Sequence, residues 1–123
     1  MKKIKIIIVD DDLYMRVRCK NMLLSHNFFV LEASNGIEAI TKYQQKHPDL
    51  VFMDITMPEM NGIEAMREII NLDSKAKIVM LSAAGQEALV MKALQAGALD
   101  FILKPFEEDH LIRTAKRLTE EKN

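Results

Sequence analysis

Short apolar runs alternate with longer amphipathic segments along the chain. Five runs of β-branched or apolar residues predict strands, and they are Ile4–Val9, Phe29–Ala33, Leu50–Met53, Lys77–Leu81 and Phe101–Leu103. The segments between these runs place apolar residues three, four or seven positions apart, which is the spacing of one helical face. A strand–helix pair repeated five times predicts a parallel sheet with helices on both of its faces.

The predicted helices have apolar stripes and identifiable ends. One such stripe contains Met15, Cys19, Met22 and Leu23. Serine and asparagine favour the residue before a helix, glycine commonly ends one, and proline cannot continue one. The expected markers are Ser34 or Asn35 before a helix near Ile37, Asn61 before a helix at Gly62, Pro48 after the second helix and Gly97 after the fourth.

Three of the strand segments are apolar at nearly every position. IIIV, LVFM and IVML therefore predict strands that are buried on both faces of the sheet. FVLEA contains the charged Glu32 and predicts an edge strand. In open sheets of this kind, ligands bind beyond the C-terminal ends of the strands. Functional residues are therefore expected at that end of the sheet.

Length, composition and charge narrow the class of protein. The 123 residues suffice for one domain, and we predict a single domain over residues 1–123. Apolar residues make up 49% of the chain, which excludes a disordered chain, and the formal net charge of −1 does not favour nucleic acid or an anionic membrane as a partner. The single Cys19 cannot form an internal disulfide, and the apolar run after MKK is neither a signal peptide nor a membrane span. We therefore expect a small soluble protein in the cytoplasm.

Polar residues stand at the C-terminal ends of four predicted strands. Because these ends share one edge of a parallel sheet, the side chains would form a pocket with up to four carboxylates, one hydroxyl and one ammonium. The residues are Asp10, Asp11 and Asp12 after the first strand, Asp54 at the third, Ser82 at the fourth and Lys104 at the fifth.

This set of side chains favours a hard divalent cation and a phosphoryl group. Carboxylates in small number suit Mg²⁺, with Mn²⁺ as the alternative, whereas the lack of His and Cys in the set disfavours zinc. A lysine and a hydroxyl beside the cation could bind a phosphoryl group. Neither GxGxxG nor GxxxxGK[ST] occurs in the sequence, which disfavours a nucleotide site of either type. Asp54 is best interpreted as a nucleophile that accepts phosphate from outside.

Four sequence blocks resemble the signature of one protein family. IIIVDDD, MDITMPEMNG, LSAAG and FILKPF occur in the order and at the separations typical of response-regulator receiver domains, and the similarity extends over essentially the whole chain. The resemblance implies an α/β, flavodoxin-like (βα)5 three-layer sandwich with a five-stranded parallel sheet in the order 2-1-3-4-5. Within the family, MDITMPEMNGIEAM and SAAGQEALVMKALQAGALDFILKPF are most similar to single-domain chemotaxis receivers.

The resemblance assigns roles around a metal site. Asp54 resembles the phosphoacceptor, Asp11 resembles the direct carboxylate ligand of Mg²⁺, and Asp10 would bind the metal directly or through water. The backbone carbonyl of Thr56 would be a further metal ligand. Asp12 fits either this acidic set or the first turn of a helix, where aspartate is favoured.

Further residues match phosphate binding and switching. Lys104 resembles the phosphate-binding lysine, with a cis bond to Pro105, and Ser82 resembles the switch hydroxyl. Phe101 resembles the aromatic switch residue, although a phenylalanine at the start of a strand is also typical of a core. Without a hydroxyl it should prefer burial more than tyrosine would. The small Ala83 leaves the phosphoryl group open to water.

These roles imply a signalling switch. A histidine kinase or phosphotransfer protein would supply the phosphoryl group, because His26, His47 and His110 are expected at solvated helix ends. The surface of helix four, strand five and helix five would control a downstream protein such as a flagellar motor switch, and a phosphatase is a further candidate partner. Nucleic acid is not expected, since no basic or aromatic recognition helix occurs. Candidate contact residues on the output surface are Lys92, Gln95 and Lys116.

Three alternatives stay open. A single-domain phosphorelay intermediate would have a similar length and architecture. The chain could also be a receiver domain cut from a larger regulator, although nothing after helix five indicates an output domain. A turnover phosphatase or phosphotransferase using Asp54 is disfavoured, because that pattern needs a second aspartate where Thr56 stands. An enzyme is therefore not expected.

Overall fold

The computed structural model describes residues 3–120 as alternating strands and helices. The strands are β1 (Lys5–Val9), β2 (Phe29–Ala33), β3 (Leu50–Asp54), β4 (Ile78–Ser82) and β5 (Asp100–Leu103), and the helices are α1 (Leu13–Leu24), α2 (Gly36–Lys46), α3 (Gly62–Leu72), α4 (Glu87–Ala96) and α5 (Glu108–Thr119). Every predicted strand is confirmed, with bounds that agree within one residue. Of the predicted domain over residues 1–123, residues 1, 2 and 121–123 lie outside the described part of the chain.

The strands form one parallel sheet in the order β2-β1-β3-β4-β5. This confirms the predicted flavodoxin-like order 2-1-3-4-5 and the edge position of β2. The chain runs outward from β1 to β2 and then crosses back to β3, so the direction of winding reverses between β1 and β3. Asp10 follows β1 and Asp54 ends β3, and both therefore stand at this switch point.

Two apolar clusters enclose the sheet and make the fold three-layered. Successive strand residues point to opposite faces, so that Ile7 and Val9 join a cluster with α2, α3 and α4, whereas Ile6 and Ile8 join a cluster with α1 and α5. Strands β3 and β4 are buried at every position, as their continuous apolar sequences predicted. Cys19 is buried in the second cluster, and this burial raises the pKa of its thiol to about 11.

The predicted markers stand at the ends of α2, α3 and α4. The Asn35 side chain accepts a hydrogen bond from a backbone N–H in the first turn of α2, and Asn61 and Glu64 form a reciprocal capping box at α3. Gly97 follows α4 with a φ of +123°, and a Cβ there would lie 2.7 Å from Ile70 Cδ1. Over residues 3–120, none of the helices has the length and apolar character required to cross a membrane.

Candidate functional site

Three carboxylates converge at the C-terminal ends of β1 and β3. These strands pair in parallel, with Val9 opposite Met53, so the residues that follow them stand side by side. Asp10, Asp11 and Asp54 each have a carboxylate oxygen within 4.8 Å of the others. Asp10 is buried, Asp11 is exposed, and Asp54 is 8% exposed. The predicted acidic pocket is therefore formed, with its nucleophile candidate recessed and one carboxylate facing solvent.

The third aspartate of the acidic run has a different position. Asp12 stands before α1 in an extended backbone conformation, and its carboxylate accepts a hydrogen bond from the Tyr14 N–H at 3.0 Å. It is therefore a helix cap, which is the second of the two interpretations that the sequence allowed. Its own N–H donates to Asp10 Oδ1 at 2.9 Å, so the cap also orients a carboxylate of the pocket.

Asp10 is fixed through its main chain and its side chain. Its N–H donates to the Ala33 carbonyl at 3.1 Å, and its own carbonyl accepts from Arg16 Nη1 at 2.8 Å. The carboxylate accepts from Asp12 through Oδ1 and from the Lys104 ammonium through Oδ2, the latter at 2.9 Å. A buried ion of this kind needs such partners, because an unsatisfied carboxylate in the interior is costly.

Lys104 links the carboxylates of two strands. Its Nζ lies 2.9 Å from Asp10 Oδ2 and 3.5 Å from Asp54 Oδ1, and its backbone N–H donates to the Ser82 carbonyl at 2.6 Å. The bond from Lys104 to Pro105 is cis, as predicted. Burial lowers the pKa of Lys104, but the hydrogen bond to Asp10 and the charges of Asp54 and Asp10 outweigh that effect and raise it. The ammonium is therefore held in its charged form.

Burial is the main influence on the ionisation of Asp54. Burial raises the pKa of Asp54 to about 6; the charge of Lys104 works against the rise, and the charges of Asp10 and Asp11 add to it. The backbone N–H of Thr56 also works against the rise in this pKa. A divalent cation placed among these carboxylates would favour the ionised, nucleophilic form.

Ser82 places a free hydroxyl at the end of β4. The residue is buried, and within residues 3–120 its Oγ has no hydrogen-bond partner. A buried hydroxyl without a partner is unusual in a folded protein and calls for a specific explanation. Ser82 follows Leu81, which pairs with Asp54, so the residue stands beside the end of the Asp54 strand.

Two supporting residues were missed by the sequence reasoning. The Gln86 side chain accepts from the Ala83 N–H at 2.7 Å and donates to Thr56 Oγ1 at 2.6 Å, which joins the loops after β4 and β3. A Cβ at Gly62 would lie 2.2 Å from the Asp54 carbonyl oxygen, so this close approach requires glycine. Asn61 had marked the start of α3, but no sequence pattern indicated either contact.

Phe101 lies at the surface of the protein. It is 40% exposed, because it lies on the same open face of β5 as Leu103, whereas Ile102 between them is buried on the opposite face. The interpretation of Phe101 as an ordinary core residue is therefore wrong, whereas its stronger preference for burial than tyrosine stays a prediction. Its predicted switch role stays a prediction. The candidate output residues Lys92, Gln95 and Lys116 are all exposed on α4 and α5, as an output role requires.

The three histidines lie at or near helix ends, as the sequence predicted. His47 follows α2, with the left-handed conformation of a C-terminal cap, and His110 lies in the first turn of α5. His26 follows α1, and its Nε2 lies 3.1 Å from a carboxylate oxygen of Glu108. None of the three belongs to the acidic pocket, as the sequence reasoning expected.

Comparisons with known proteins agree with this geometry. A family model described as "Response regulator receiver domain" matches residues 6–116. The chain is 49% identical to the chemotaxis protein CheY of Bacillus subtilis, covering 92% of this chain and 95% of that protein. It is 46% identical to the chemotaxis protein CheY of Thermotoga maritima, covering 94% and 97%. A solved structure of the CheX-CheY-BeF3-Mg complex from Borrelia burgdorferi matches with a TM-score of 0.88 and 32% identity, covering 96% of this chain and 90% of that chain.

Proposed function

The chain belongs to the family of response regulator receiver domains, and from that membership we propose that Asp54 accepts a phosphoryl group from a histidine of a partner protein, in a reaction that requires Mg²⁺. The family model and the similar CheY proteins confirm the family that the four sequence blocks indicated. The observation that carries the proposal is the convergence of three carboxylates within 4.8 Å, with the Lys104 ammonium 3.5 Å from Asp54. Carboxylates and an ammonium in this arrangement suit phosphoryl transfer.

The residues present fit Mg²⁺. The ligand set consists only of oxygen atoms, from Asp10, Asp11, Asp54 and the backbone carbonyl of Thr56, and the same atoms would accept Mn²⁺. The Asp10 carboxylate is already bonded to Asp12 and Lys104. We therefore assign the direct contact to the exposed Asp11 and a direct or water-mediated contact to Asp10. When bound, the cation would neutralise carboxylate charge and polarise a phosphoryl oxygen.

The transfer itself would be carried by Asp54 and Lys104. A carboxylate oxygen of Asp54 forms a bond to phosphorus while the bond from phosphorus to the partner's imidazole nitrogen breaks. The electron pair stays on the imidazole, which takes up a proton. Lys104 would stabilise the charge on the phosphoryl oxygens. The product is the chain itself, with a phosphoryl group on Asp54 that is later removed by hydrolysis. The protein would therefore act as a switch and not as a turnover enzyme.

The acyl phosphate would bias the packing of the neighbouring elements. It carries about two negative charges, and the Ser82 hydroxyl would move to donate a hydrogen bond to it. Phe101 would then occupy the space that is vacated, and the surface of α4, β5 and α5 would rearrange. Lys92, Gln95 and Lys116 would contact a downstream protein on that surface.

Chemotaxis is the proposed setting. Two CheY proteins of chemotaxis are 49% and 46% identical to the chain over nearly their full length, which supports this role. The corresponding partners in the cytoplasm are a histidine kinase or phosphotransfer protein, a target such as a flagellar motor switch, and a phosphatase. The complex of CheX with CheY from Borrelia burgdorferi makes a CheX-like protein a further candidate.

The test is the intact mass of the protein after exposure to a small acyl-phosphate donor. The wild-type chain should gain one phosphoryl group with Mg²⁺ and none with a chelator, and Asp54→Asn should gain none. Asp12→Asn is the matched control, because Asp12 caps α1 and lies outside the group of converging carboxylates. It should be phosphorylated as the wild type is. No added mass under any condition would contradict the proposal, and the chain would then be a binding module with the receiver's shape.

A further inference from the structure

Arg16 on α1 contacts both the acidic pocket and the edge strand β2. Its Nη1 donates to the Asp10 carbonyl at 2.8 Å, and its Nε donates to Glu32 Oε1 at 3.1 Å. Only 14% of the side chain is exposed. We propose that Arg16 is a positioning residue for the divalent cation, which it serves by fixing the peptide group between Asp10 and Asp11. This inference rests on the proposed function, because it concerns the same metal site.

The Asp10 carbonyl matters because the peptide unit is planar. Its carbon is bonded to the Asp11 nitrogen, so a side chain that holds this oxygen sets the plane from which the Asp11 side chain projects. On the other side of Asp10, the N–H is held by the Ala33 carbonyl of β2 at 3.1 Å. Both peptide groups that flank Asp10 are thus fixed. The orientation of the exposed Asp11 depends on this backbone, and Arg16 supplies one of the two hydrogen bonds that hold it.

Glu32 keeps the guanidinium in place and balances its charge. Its two carboxylate oxygens accept from Arg16 and from Lys20, each at 3.1 Å. Burial raises the pKa of Glu32, but the hydrogen bonds from Lys20 and Arg16 outweigh it and hold that pKa below its ordinary value. This pairing favours cation binding, because an arginine without a neighbouring carboxylate would repel a metal ion at the nearby site. Arg16 can therefore serve the metal site through geometry without opposing it through charge.

Lys20 supplies a matched comparison for Arg16. Both residues lie on α1, and both form a 3.1 Å ion pair with Glu32, but Lys20 is one turn further from the pocket. If Arg16 serves only to tie α1 to β2, its removal should resemble the removal of Lys20 in every measurement. If it positions the metal ligands, only its removal should change the affinity for the cation.

The experiment measures metal affinity in the full chain. Mn²⁺ binding is followed by the electron paramagnetic resonance of the free ion, and Mg²⁺ binding by its competition with Mn²⁺. Arg16→Met should raise the Mn²⁺ dissociation constant about tenfold, as removal of residues that orient metal ligands commonly does. Lys20→Met should change it by less than about twofold. In metal-free protein, the Asp12 amide should exchange faster in Arg16→Met than in Lys20→Met, because its acceptor Asp10 is less firmly held.

Each outcome decides between the two roles. Wild-type protein that binds Mn²⁺, together with Arg16→Met that binds it equally well, overturns the inference and leaves the proposed function intact. Equal weakening in Arg16→Met and Lys20→Met overturns it too, because the effect would then belong to the Glu32 charge pairs. Wild-type protein that binds neither cation overturns the proposed function as well.

A second variant covers the case in which Arg16→Met does not fold. Arg16→Lys keeps the positive charge opposite Glu32 but lacks the planar fork with which one guanidinium serves two acceptors. We expect it to fold and to bind Mn²⁺ several times more weakly than the wild type. Wild-type affinity in Arg16→Lys would show that charge alone suffices and would overturn the inference.

Discussion

Replacing Asp54 with asparagine should stabilise the protein in the absence of metal. Burial of the Asp54 carboxyl raises its pKa from 3.8 to about 6. At about 1.4 kcal/mol for each tenfold change in proton affinity, this rise corresponds to about 3 kcal/mol of unfavourable free energy for the ionised form. The asparagine side chain would have nearly the same shape without the charge. We therefore expect Asp54→Asn to raise the free energy of unfolding by about 3 kcal/mol at about pH 8.

The pH dependence of this difference follows from the direction of the pKa change. A carboxyl with a raised pKa in the folded state binds its proton more tightly than in the unfolded state. Its favourable contribution is present below about pH 4 and is lost as the pH rises through about 6. The advantage of Asp54→Asn should therefore be nearly absent at about pH 4, reach about half of its full value at about pH 5, and be complete at about pH 8.

The assay is urea denaturation followed by far-ultraviolet circular dichroism, since the chain contains no tryptophan. It is run in a chelator on wild type, Asp54→Asn and the exposed control Asp12→Asn. Only the difference between variants isolates the effect of Asp54, because other carboxyls change the free energy of unfolding with pH in the opposite direction. Glu38, for example, has a pKa that is lowered by the hydrogen bond from the Ser34 backbone, and it loses stabilisation as the pH falls. Equal stability of wild type and Asp54→Asn at about pH 8, or a difference that does not vary with pH, would refute the reasoning.

Three further substitutions test contacts inside and outside the pocket. Gly62→Ala should destabilise the fold by about 3 kcal/mol in urea denaturation and reduce phosphoryl incorporation, because its Cβ would lie 2.2 Å from the Asp54 carbonyl oxygen; wild-type behaviour in both would contradict the contact. Ser82→Ala should leave metal-free stability unchanged or raise it by about 1 kcal/mol, since its hydroxyl has no partner within residues 3–120. The same variant should lose the amide chemical-shift changes of α4 and β5 on phosphorylation, and their persistence would contradict the switch role. Tyr43→Phe removes a 2.8 Å hydrogen bond to Asp73 and should cost about 1 kcal/mol in urea denaturation without changing Mg²⁺ affinity.

The sequence predicted the pocket because parallel strands send their C-terminal ends to one edge. Asp10, Asp54, Ser82 and Lys104 each stand at such an end, so four local observations sufficed to bring together residues that are far apart in the chain. The predicted cap Asn61 was correct for the same reason, since a cap depends on a few neighbouring residues. What could be predicted was set by the topology of the sheet and by local hydrogen bonding.

The contacts that support the pocket depend on distances that no local pattern encodes. Gly62 is needed because the start of α3 returns to the Asp54 carbonyl, and Gln86 matters because two separate loops meet. Arg16 was not singled out in the sequence, although its guanidinium donates to the Asp10 carbonyl. Phe101 shows the opposite error: its apolar character favoured a core position, but it lies on the exposed face of β5, whereas Ile102 beside it lies on the buried face. Each of these facts requires the tertiary arrangement.

The balance of charge in the pocket explains why the partnerless Ser82 hydroxyl matters. Three carboxylates and one ammonium leave two negative charges when all are ionised, and Mg²⁺ would cancel them. Conversion of Asp54 to an acyl phosphate of about two negative charges would add one negative charge to the pocket. The phosphoryl oxygens that carry this charge would need a further hydrogen-bond donor. Lys104 already donates to Asp10, whereas the buried Ser82 Oγ has no partner within residues 3–120. Such a hydroxyl costs about 1–3 kcal/mol, which would be regained if it donated to an oxygen of the proposed acyl phosphate. On the proposed mechanism, part of the free energy that favours the switched state would therefore already be present in the unphosphorylated protein.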